Sequence, residues 1–157
     1  MTKSTDTTHS PTNAARLGSL VDEAQLLMDQ LCAISTGQSD AIAIGDVAQI
    51  VEIVVKREPV VQGLVSVGEE IGAFIENSDA LAKVSVGERD EAMRRIALIE
   101  HAMKRLRERD DHDQKQMEAA RDKMADQLAS MGTNQNALRA YSSRSTTPNP
   151  ILQDREG

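Results

Sequence analysis

From Leu17 to Ile34 the apolar residues Leu17, Leu20, Val21, Ala24, Leu27, Met28, Leu31 and Ile34 return every three or four positions, which places them on one face of an α-helix. Gly37 weakens the next stretch, since glycine costs about 1 kcal/mol relative to alanine inside a helix. Ala41, Ile42 and Ile44 resume the apolar side, so this first helix is expected to end near Ile44. Gly45 and Asp46 then read as a tight junction, the glycine taking the left-handed position after the helix and the aspartate capping the next one.

The second helix carries a seam of Val47, Ile50, Val54, Val61, Leu64, Ile71 and Ile75, interrupted at Arg57 and Gly68. It is rich in β-branched residues but lacks the period-two alternation of a strand. Pro59 removes a backbone donor and crowds the carbonyl four residues earlier, so a bend or a break into two helices is expected near Val55 to Glu58. After Glu76 the run ENSDALAKVSVGE loses the pattern, and Ser85 with Glu88 forms a capping box that opens a third helix.

That third helix is expected from Val86 to Met131, about 69 Å long against about 42 Å for the first. Its seam runs through Met93, Ile96, Ile99, Met103, Leu106, Asp110, Asp113, Met117, Ala120, Met124, Leu128 and Met131, a repeat close to 3.5 residues with two aspartates midway. Gly132 reads as its stop, Asn134 as a cap, and Asn136 to Tyr141 as a short last helix. The tail SSRSTTPNPILQDREG reads as disordered. The expected fold is therefore all-α: an elongated antiparallel bundle of three main helices, the third long, with a short C-terminal helix. The boundaries are a disordered polar arm over 1–14, a helical domain over 15–141 and a flexible tail over 142–157.

Composition fits this picture. The only aromatic residues are Phe74 and Tyr141, so the core must be built from aliphatic side chains and methionine. A net charge of −7 opposes non-specific attraction to nucleic acid or anionic membranes. The first 13 residues lack the apolar core of a signal peptide, and charged residues break the most apolar stretch, Val47 to Ile75, so membrane insertion is not expected. Cys32 is the sole cysteine, which excludes an intrachain disulfide and fits a reducing compartment.

Candidate chemistry is sparse. Asp110, Asp111, His112 and Asp113 concentrate metal-ligand residue types, but without the turn glycine of a calcium loop, and His101 and His112 lie about 16.5 Å apart along a helix. A solvated charged stretch is the preferred reading. Cys32 lies beside the first apolar seam with no basic residue within four positions, which favours packing over reactivity. The nine glycines form no phosphate-binding loop, and a catalytic triad would have to draw on three histidines, of which His9 sits in the polar arm. Arg94, Arg95, Lys104, Arg105, Arg107 and Arg109 are diluted by acids and lack stacking aromatics, so a solvated face is preferred to a nucleic-acid stripe. No cofactor, metal site or catalytic residue is expected, and the chain reads as a binding protein.

Met117, Met124 and Met131 recur every seven residues and, with Ala120 and Leu128, form an apolar stripe suited to varied partner surfaces. Its occupant could be a client segment, the protein's own last helix or a second copy.

The opening Leu-rich helix, the turn in AIAIGDVAQI, the charged middle of VEIVVKREPVVQGL and the long third helix together resemble the FlgN family of flagellar export chaperones. The element Ala137, Leu138, Arg139, Ala140, Tyr141, followed by a proline-containing tail ending in Asp154, Arg155 and Gly157, carries most of that resemblance. It implies a cytosolic chaperone that holds hook-associated proteins, the hook–filament junction components, and passes them to the flagellar type III export gate. Met117, Ala120, Met124, Leu128, Met131, Leu138 and Tyr141 are the candidate contacts to client or gate. The alternatives are the sister chaperone of the filament cap protein, a self-associating coiled-coil adaptor that forms a homodimer through the same seam, and a small helical enzyme or metal protein.

Overall fold

The computed structural model describes residues 12–144, and all regular structure among them is helical. Four helices follow one another: α1 (Asn13–Ile44), α2 (Val47–Glu76), α3 (Ser78–Ala82) and α4 (Val86–Arg144). The chain divides into two compact units, Met1–Gln116 and Met117–Gly157. Apart from residues 12–14 and 142–144, the polar arm and the tail lie outside the described residues.

The junctions follow local chemistry. Thr12 caps α1 by accepting from Ala15 N at 3.2 Å. Gly45 takes φ 72°, the only positive φ among the described residues, and its N–H returns to the last turn of α1. Asp46 accepts from Gln49 N at 3.0 Å and starts α2. Asn77 both ends α2, through its N–H to Ala73 O, and caps α3, accepting from Ala80 N at 3.1 Å. The α3 turn lies in the stretch where the sequence pattern lapses, and it delivers Val84 into the core. Ser85 and Glu88 form the expected box: Ser85 N donates to Glu88 Oε2 at 3.1 Å, and Glu88 N donates to Ser85 Oγ at 3.3 Å.

Pro59 does not divide α2, which runs unbroken through it. Pro59 and Val55 are both exposed, so the carbonyl that loses its helical donor lies on the solvent side, where water can reach it.

In the first unit α2 runs antiparallel to α1, and α4 runs antiparallel to α2. The α1 and α4 contacts are in parallel register, with offsets of 73 to 75 residues in the bonds Arg109–Thr36, Ser39–Asp113 and Gln38–Asp113. Leu17, Val21, Met28 and Leu31 of α1 pack with Leu64, Val67, Ile71 and Phe74 of α2 and with Ala92, Ile99 and Leu106 of α4. The α2 core is thus shifted from the expected seam: Val67 and Phe74 are buried, whereas Val47 and Val54 are exposed. Gly68, read as a gap in that seam, is itself exposed.

A polar layer closes the core. Arg57 holds Asp110 with both terminal nitrogens, Nη1 donating to Oδ1 at 2.9 Å and Nη2 to Oδ2. Arg57 Nη1 also donates to Gln38 Oε1 at 3.2 Å, and Gln38 Nε2 donates to Asp113 Oδ2 at 3.4 Å. Ser39 Oγ donates to the same carboxylate, 2.8 Å from Oδ2. Asp113, expected in a solvated stretch, is only 4% exposed, and Asp110 is half-buried, so both aspartates join helices together. The cause is the set of donors on α1 and α2, which replace water around each carboxylate.

Candidate interaction surface

The described residues of the second unit, 117–144, are a run of helix. Gly132 does not stop α4, which continues to Arg144, and the short separate helix expected over Asn136 to Tyr141 is its last part. Gly132 keeps a negative φ, and helix-favouring residues such as Leu128, Ala129, Met131, Ala137, Leu138 and Ala140 surround it. The cost of about 1 kcal/mol for one glycine is spread over many good helix formers. Thr133 Oγ1 donates to Ala129 O at 3.0 Å, so its hydroxyl is satisfied within the helix.

Because the helix is continuous, Leu138 falls seven residues beyond Met131 and extends the series Met117, Met124, Met131 on one side. Leu128 lies beside it, and Ala120 and Tyr141 flank it. All seven residues are exposed, the six large ones from 45% at Met117 to 80% at Tyr141. The helix brings them onto one face and leaves that face uncovered among the described residues. Its chemistry is dispersive: flexible thioethers and leucines with one aromatic ring, suited to burying an apolar partner face rather than to moving a proton.

The other sequence candidates sit in the first unit. Cys32 is half-buried and packs against the core as expected. It lines a cleft of about 360 Å³ with Ala33, Thr36, Ala102, Arg105, Leu106 and Arg109. Asp111, His101 and His112 are exposed. Within the basic run, Arg94 pairs with Glu91 at 2.7 Å, Arg95 reaches Asp22 at 2.7 Å, and Arg109 donates to Thr36 Oγ1 at 3.0 Å. Arg94 lowers the Glu91 pKa through their hydrogen bond, and the Ser85 hydroxyl and N–H lower that of Glu88. Both acids are helix-surface groups engaged locally. No helix among the described residues is long and apolar enough to cross a membrane.

One surface escaped the sequence reading. At the α1–α2 hairpin end, Ile44, Val47, Val51, Val54 and Val55 are all more than half exposed. Periodicity assigned Val47 and Val54 to the core. The polar residues Arg57 and Asp110 were the available signal, since they mark where the apolar contact between α2 and α4 ends.

No protein-family model, curated protein or solved structure matches the chain.

Proposed function

We propose that this protein is a non-enzymatic export chaperone of the FlgN kind, acting in the cytoplasm. On this reading it holds terminal helical segments of hook-associated proteins on the Met117–Tyr141 face and releases them to the flagellar export gate. The observation that carries the reading is the continuous apolar stripe of α4, uncovered among the described residues and rich in methionine. A client helix laid along it would bury anchors at Met117, Met124, Leu128, Met131 and Leu138, the helix-in-groove mode of recognition. Tyr141 supplies a rigid aromatic contact at the end of the face. The flagellar assignment rests on the resemblance of the helical pattern and of the Ala137 to Tyr141 element.

The test is light scattering with size exclusion on the full chain, alone and mixed with terminal segments of hook-associated proteins. A mixed complex is expected, and the double variant Met124→Lys, Leu128→Glu should lose it. Absence of any mixed complex with those segments would refute the client assignment.

A second reading draws on the seven-residue spacing of Met117, Met124, Met131 and Leu138, which suits a coiled-coil seam between two copies. In that case the same double variant would abolish a homodimer instead of a mixed complex.

A further inference from the structure

The hairpin end of the first unit carries a second exposed apolar face, distinct in composition from the methionine stripe. Val47, Val51, Val54 and Val55 follow helical spacing along one side of α2, and Ile44 adjoins them across the Gly45–Asp46 turn, with exposures from 54% to 74%. Branched side chains of this kind are stiff and lose little rotamer freedom on burial. The face suits a fixed, complementary partner better than a series of varied ones.

We propose that this face is the interface of a two-fold homodimer in which α2 packs antiparallel on the α2 of a second copy, centred on Val51. Three observations select a second copy. First, the face is self-complementary in that register: Val47 meets the partner's Val55, Val51 meets the partner's Val51, and Val54 meets the partner's Ala48. Two-fold contacts require such reciprocity, each residue pair occurring twice.

Second, charge permits it, although each chain is acidic overall. Between residues 44 and 58, Asp46 and Lys56 are the only charged residues that this register sets opposite another charged residue, and their signs are opposite. Glu52, which this register sets opposite the partner's Ile50, pairs with Lys56 of its own chain at 2.6 Å. No like charges are placed in opposition across the contact.

Third, the area suffices. The five aliphatic residues expose on the order of 500 Å² per copy, the size of patch that usually has a use on a monomer. Complete burial of both patches would remove roughly 1,000 Å² from water, the lower bound for a specific interface.

The test uses the full chain with Cys32→Ala, so that an introduced cysteine is the only thiol. Val51→Cys lies on the proposed axis and should form a covalent dimer rapidly under copper phenanthroline. Val65→Cys, also exposed but further along α2, should cross-link at a rate at least tenfold lower. On the unmodified chain, light scattering should give the mass of two chains, and Val51→Asp, which would set two carboxylates together at the axis, should give the mass of one. The stripe variant Met124→Lys, Leu128→Glu should stay dimeric. Equal cross-linking at positions 51 and 65, a single-chain mass for the unmodified protein, or a dimer lost only in the stripe variant would each overturn the proposal. A chain that dimerises through Val51 but binds no client segment would sink the chaperone reading alone.

Discussion

Arg57 on α2 and Asp110 on α4, separated by 53 residues in sequence, form a two-pronged ion pair. The Arg57 side chain is 19% exposed and that of Asp110 32%, so the pair is partly withdrawn from water. Each was a flaw in its own helix's apolar seam, and together they make one joint. Gln38 links that joint to Asp113 on the neighbouring turn of α4, so three helices share one hydrogen-bonded layer.

Breaking the pair from one side should be costly. Arg57→Ala leaves Asp110 in a half-buried setting with its two donors gone, and a loss of about 1 to 3 kcal/mol is expected. Replacing both, as Arg57→Leu with Asp110→Leu, should lose less than the sum of the single changes, because no orphaned charge remains. Urea unfolding of the unmodified protein, Arg57→Leu, Asp110→Leu and the double variant measures the coupling directly.

Two glycines in similar local sequence should respond in opposite ways. Gly68 lies inside α2, with nothing within 4 Å of an added Cβ, so Gly68→Ala should stabilise the protein by about 0.5 to 1 kcal/mol. Gly45 also has open space around it but sits at φ 72°, so Gly45→Ala should destabilise by about 1 kcal/mol. Thermal melts of the two variants should shift in opposite directions.

Glu88 should contribute stability with a defined pH dependence. Its pKa is lowered in the folded state by the Ser85 hydroxyl and N–H. A depressed carboxylate pKa means that the contribution is complete above the unfolded-state value, about 4.3 for glutamate, and fades as pH falls through the lower folded value. The stability difference between the unmodified protein and Glu88→Ala should therefore be constant near neutrality and shrink on acidification. A difference that grows as pH falls would contradict the capping role.

The stripe should be separable from the fold. Met124 and Leu128 are exposed and make no contribution to the buried core, so charging both should change unfolding free energy by no more than about 0.5 kcal/mol. A large destabilisation would mean that the face is covered in solution even without a partner. Chemical denaturation at several protein concentrations distinguishes self-burial from association.

Much of the local architecture was legible in the residues. The three-and-four spacing from Leu17 to Ile34 marked the buried face of α1, Gly45 and Asp46 marked the reversal, and Ser85 with Glu88 marked the start of α4. These features act within a few residues of each other, so sequence alone specifies them. The stripe from Met117 to Met131 was legible for the same reason, as a repeat along one segment, whereas its extension to Leu138 and Tyr141 depended on α4 running on through Gly132.

Other features depended on competition between local and distant terms. Pro59 and Gly132 carry strong local signals for ending a helix, yet both helices continue. Pro59 sits where water can satisfy the freed carbonyl, and Gly132 is outvoted by its helix-forming neighbours. Short-range chemistry along the chain thus determined the helical class, the main caps and the apolar repeat. The tertiary structure alone decided that Arg57 answers Asp110, that Ser39 and Gln38 enclose Asp113, and that Val47 and Val54 stay exposed. Periodicity records which residues share a face of one helix, whereas the depth to which two faces bury each other depends on where distant polar groups meet.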